Sequence, residues 1–109
     1  MANAVVDNAG TAGTLAVVAA VAGRSIRVKG YVLYAGGTTN ATWESGTTAL
    51  TGPFPLKDQG GAAAAIAPSA QGIEEFWFET APGAPLNLVT DANVQVSGHV
   101  AYSLSGKAS

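Results

Sequence analysis

Few residues in this chain have the type and spacing to do chemistry, and each grouping points to a different kind. His99 is the single histidine, so a metal site built on several imidazoles is excluded. Ser97 and Ser103 share its strand parity, and Asp91 lies upstream, which raises a serine–histidine–acid arrangement. Strand neighbours of equal parity stand about 7 Å apart, beyond direct hydrogen-bond reach. No nucleophile elbow or Gly-rich oxyanion loop accompanies them. A polar strand-face or interface histidine is the better reading, and no enzymatic activity is expected.

Glu75, Trp77 and Glu79 alternate on one strand face of IEEFWFET. An exposed indole flanked by carboxylates can stack on a sugar ring while the acids take hydroxyls. Glycoside hydrolysis is disfavoured, because four strand residues separate the acids by about 13 Å. Inverting enzymes hold theirs roughly 6.5–9.5 Å apart. An exposed Trp is also a common interface anchor, and that role is preferred. Asp91 and Asn93 supply too few oxygens for calcium and read as an Asx-type turn. Asn40-Ala41-Thr42 matches a glycosylation triplet, without a secretion leader to give it meaning. Arg24, Arg27 and Lys29 gather three of the five basic residues. With a net charge of −2 they suit pairing with acids such as Glu75 and Glu79, not phosphates, so nucleic acid is not expected as a partner.

The elements that position these residues follow from composition and period. The 109 residues make one domain with a two-layer core. Charged residues are 11% of the chain and hydrophobic ones 48%, against roughly 25% charged in ordinary soluble domains. A surface so poor in ions suits a protein packed against other subunits. There is no cysteine, hence no disulfide or thiolate site. The apolar run from Leu15 to Ala22 is too short to span a membrane. The start MANAVVDN lacks a basic segment before an apolar one, so synthesis in a cytoplasm is expected. No cofactor is expected.

Arg24–Ala35 alternates for a dozen residues. Its period predicts Ile26, Val28, Val32 and Tyr34 on one face, with Arg27, Lys29, Tyr31 and Leu33 on the other. Thr14–Ala22, Asn40–Ser45, Thr47–Leu50, Ala62–Ala67, Ile73–Thr80, Leu86–Thr90 and Val94–Leu104 read as further strands. Glycine- and proline-bearing turns separate them, and Pro53–Leu56 reads as an edge or bend. The fold class is therefore all-β: an antiparallel sandwich or jelly roll of about eight strands with no substantial helix. Residues 14–105 form the domain. Residues 1–13, small and aperiodic, are expected to be an arm held by a neighbouring subunit, and 106–109 a short tail.

GRSIRVKGYVLYAGG, then TWESGTTALTGPFPL, then FWFETAPGAPLNLVTDANVQVSGHVAYSLS resembles small β-sandwich virion proteins of tailed bacteriophages. Capsid decoration (cement) proteins and head or tail accessory proteins are of this kind. The likeness covers about Thr14 to Leu104 and rests on strand and turn order, not on a functional motif. It implies a homo-oligomer, most often a trimer, bound to a major capsid protein lattice on the virion, with no catalytic residues. Expected contacts are the arm (Ala2, Val5, Val6), the outward pair Tyr31 and Leu33, Phe54 at the proline bend, and Trp77. Arg27, Lys29, Glu75 and Glu79 are expected ionic partners. A tail or head-fibre component, or a carbohydrate-binding module, are the alternatives.

Overall fold

In the computed structural model, which describes residues 2–57, 60–64 and 76–105, ten strands form two antiparallel sheets. In chain order they are β1 (Ala2–Asp7), β2 (Gly13–Val18), β3 (Ile26–Ala35), β4 (Thr39–Ser45) and β5 (Thr48–Ala49). There follow β6 (Phe54–Leu56), β7 (Gly61–Ala64), β8 (Phe78–Glu79), β9 (Leu86–Thr90) and β10 (Val96–Leu104). The first sheet runs β1-β10-β3-β7, with β8 also on β3; the second runs β2-β9-β4-β5, with β6 also on β4. Because β10 covers one side of β3, β7 and β8 share the other, and β5 with β6 likewise share the far side of β4. First strand beside last and second beside next-to-last is the winding of a jelly roll. The protein is an all-β sandwich. Among the described residues there is no helix, hence none long and apolar enough to cross a membrane.

The expected alternation of β3 holds only as far as Lys29. Ala101 pairs with Gly30 and Tyr102 with Val28, so Lys29 is an extra residue, a β-bulge that reverses strand parity. Ile26 and Val28 point inward before it; Leu33 and Ala35 do so after it, all at most 1% exposed. Tyr31 and Leu33 are therefore not outward contacts. Leu33 is core, and Tyr31 turns between the sheets, where its ring lies 5.4 Å from Trp43, 6.4 Å from Phe54 and 6.5 Å from Phe78. Val32 and Tyr34 face solvent instead. Phe54 is half-buried against Tyr31, a rim residue of the core and not a free contact.

Residues 2–7 correct the expected arm. ANAVVD pairs along its whole length with β10, and Val6 is fully buried in the core, so Val6 is no external contact. Asn8 fixes the exit from this strand. Its Nδ2 donates to the Val94 carbonyl (2.9 Å), while its Oδ1 accepts the Val96 N–H (2.9 Å) and the Gly10 N–H (3.0 Å). A single amide thus satisfies three backbone groups at a sharp corner, which explains why a buried polar residue is tolerated there.

Candidate interaction surface

Register places an apolar band on the outer face of the first sheet. Val5 stands opposite His99, His99 opposite Val32, and Val32 opposite Ala63. All four are exposed. The adjoining row is Asp7, Ser97, Tyr34 and Gly61. Val5 is 78% exposed, Tyr34 57% and Val32 38%. Among the described residues they are three of the four large hydrophobic residues left in solvent, the fourth being Trp77 at 54%. Three of the four thus fall in two adjacent rows, a clustering that isolated surface apolar residues do not show. The bulge at Lys29 produces it, since an unbroken β3 would have buried Val32 and Tyr34.

Gly98, next to His99 on β10, lies against the backbone of β3. Its φ is +148°, and a Cβ there would collide with the Val32 carbonyl oxygen. Only glycine lets β10 approach β3 so closely beside His99.

At the far end of β3, Arg27 stands opposite Glu79. Its Nε lies 3.0 Å from the Glu79 Oε2, the partnership expected from the sequence. The guanidinium carbon also sits 4.7 Å from the Phe76 ring centroid, a cation–π contact. Trp77 anchors this corner through its backbone N–H, which donates to the Val28 carbonyl (2.8 Å). Lys29 is buried at 5% exposure, at the bulge of β3. Glu75 lies outside the described residues. Ala2 is exposed at the start of β1.

The chemical groupings come apart in three dimensions. His99 stands in the apolar row between Val5 and Val32. Asp91 is engaged elsewhere: its Oδ1 accepts the Asn40 N–H (2.8 Å) and the Thr39 hydroxyl (3.0 Å), and its Oδ2 accepts Asn40 Nδ2 (2.8 Å). Those bonds, the Asn40 N–H first, hold its carboxyl below the usual value of 3.8. Asn93 Oδ1 accepts the Ala12 N–H (2.9 Å), so both turn residues fasten loops. The Asp7 carboxyl is lowered in the same way, chiefly by Gln95 Nε2 and then by the Ala9 N–H. No group of three or more His, Cys, Asp or Glu side chains that could hold a metal occurs among the described residues.

No protein-family model, curated protein or solved structure matches this chain.

Proposed function

We propose that this protein is a structural subunit of a tailed-bacteriophage virion, a decoration protein that cements the shell of the major capsid protein. It would be made in the bacterial host cytoplasm and would end on the capsid surface. The observation that carries the reading is the exposed apolar band of Val5, Val32 and Tyr34 on a chain with 11% charged residues. The likeness of residues 14–104 to small virion proteins adds the assembly. Jelly rolls serve in viral capsid and lectin domains alike, and a fold alone does not choose between them. Cementing requires no catalysis and no cofactor. It needs apolar area, at about 25 cal/mol per Å² buried, repeated over many equivalent sites.

The test is co-sedimentation of the purified protein with empty shells assembled from a tailed-bacteriophage major capsid protein. Saturable binding is expected, with Tyr34→Lys lowering occupancy at least about tenfold through one buried charge. Absence of binding, or a Tyr34→Lys variant that binds like the parent, overturns the reading. Binding to tails or head fibres in place of shells moves the protein within the class.

Trp77 supports a second reading, a carbohydrate-binding module. An indole 54% exposed beside the Arg27–Glu79 pair has the makings of a stacking platform with polar flanks. Trp43 is fully buried, so a change in tryptophan emission on adding glycans would report Trp77. A glycan array without hits removes this alternative.

A further inference from the structure

Among the described residues, no strand pairs with the outer edge of β1. Asn8 N–H donates to the Val96 carbonyl (3.2 Å), and the β1–β10 register continues from that pair. Bonded and non-bonded pairs alternate along an antiparallel ladder. Ala2, Ala4 and Val6 therefore spend their backbone groups on β10, while Asn3, Val5 and Asp7 turn theirs away from the sheet. Edges of this kind are normally guarded by charge, proline, a bulge or brevity.

The other described edges carry such guards. β2 has a register shift between Ala16 and Val18, β6 contains Pro55 and follows Pro53, and β5, β7 and β8 have two, four and two residues. β1 has six residues in unbroken register, without proline, and with Asp7 as its single charge.

We propose that two copies join antiparallel through β1, Val5 against Val5 across a two-fold axis. Partner residues must have equal parity to keep one face outward. With Val5 at the centre, Asn3 of each copy stands opposite Asp7 of the other. All three bonded pairs then fall on the residues whose backbone groups are unspent, and each exchanges two hydrogen bonds. Asn3 also meets Asp7 side by side, an amide donor beside a carboxylate, which keeps the two Asp7 charges apart. The two first sheets become one, and the row Val5–His99–Val32–Ala63 continues into the same row of the second copy. The contact is isologous and closes at two copies, not the three that the resemblance implies. It does not depend on attachment to a shell, so dimerisation and shell binding succeed or fail separately.

A strand edge buries less than the roughly 1,200–2,000 Å² of a tight complex, so association is measured by sedimentation from about 10 μM to about 1 mM. A species of two chains is expected to accumulate. Chains that stay single at about 1 mM, or that assemble as threes, overturn the proposal. Val5→Pro removes an N–H that β10 does not use, so this variant should lose the dimer while keeping its near-ultraviolet circular dichroism. A folded Val5→Pro dimer refutes the geometry. Amide exchange in the unmodified chain gives a second readout. Protection at Asn3, Val5 and Asp7 should rise at least about tenfold with concentration, with Ala4 and Val6 protected throughout. Concentration-independent exchange at Val5 also refutes it.

Discussion

Tyr31 sets its ring edge-on to Trp43 at 5.4 Å, and the contact exists because β3 changes parity at Lys29, two residues earlier. Trp43 is fully buried, and no described acceptor reaches its Nε1. A buried donor without a partner costs about 1–3 kcal/mol. The aromatic packing of Tyr31, Phe78 and Trp43 has to outweigh that cost, and aromatic pairs contribute about 0.5–1.5 kcal/mol each beyond burial.

The bulge makes a stability ranking that an uninterrupted strand would invert. Leu33→Ala should cost about 2–5 kcal/mol, as a buried leucine does. Val32→Thr, one position earlier on the open face, should stay within about 0.5 kcal/mol. Urea denaturation of the two variants reads the difference. Equal losses, or a larger one at Val32, would contradict the register.

Gly98→Ala should separate β10 from β3. The backbone there has φ +148° and the Val32 carbonyl fills the Cβ position, so strain of about 1–3 kcal/mol adds to a forced shift of the ladder. Gly52→Ala is the matched control, since a Cβ at Gly52 meets nothing within 4 Å. Thermal melts should show a large loss for the first and little change or a slight gain for the second.

Acid should unfasten the Asp91 clamp in a defined direction. Hydrogen bonds from Asn40 and Thr39 place the folded-state pKa of Asp91 below its usual 3.8. A depressed carboxylate pKa adds stability above the unfolded value, and that stability is lost as pH falls through the folded one. Urea midpoints should therefore hold steady down to about pH 4 and then drop. Asp91→Asn should lower the plateau and soften the drop, the remaining slope coming in part from Asp7, depressed in the same sense. A variant with the parent's full pH profile would show the clamp to be idle.

Much of this architecture is legible in the amino acids. Leu86–Thr90 is a strand with the bounds its alternation predicts, and the Arg27–Glu79 pairing follows from opposite charges on adjacent strands. Two features escape a period count for the same reason: both depend on a partner strand. Gly30, a lone glycine inside a strand, is the available sign of a bulge. Counted across it, Ile26 and Val28 hand over to Tyr31, Leu33 and Ala35. In ANAVVD the inward parity carries only Ala2, itself exposed, with Ala4 and Val6. So little side-chain volume gives a weak period, and the long ladder to β10 that holds the strand is invisible locally. The apolar face arises from these two features together, which is why Tyr34 goes unnoticed among the sequence-level contacts and Leu33 is wrongly included.

The union of the opening strand with the closing one sets a timetable for birth. The bond from Val96 N–H to the Asn8 side chain spans 88 positions, which a ribosome adding about 5–20 residues per second covers in roughly 4–18 s. During that interval Val6 has no ladder to enter, and the first sheet cannot close before β10 has emerged. Nascent chains would meet chaperones, or one another, before β1 could meet β10.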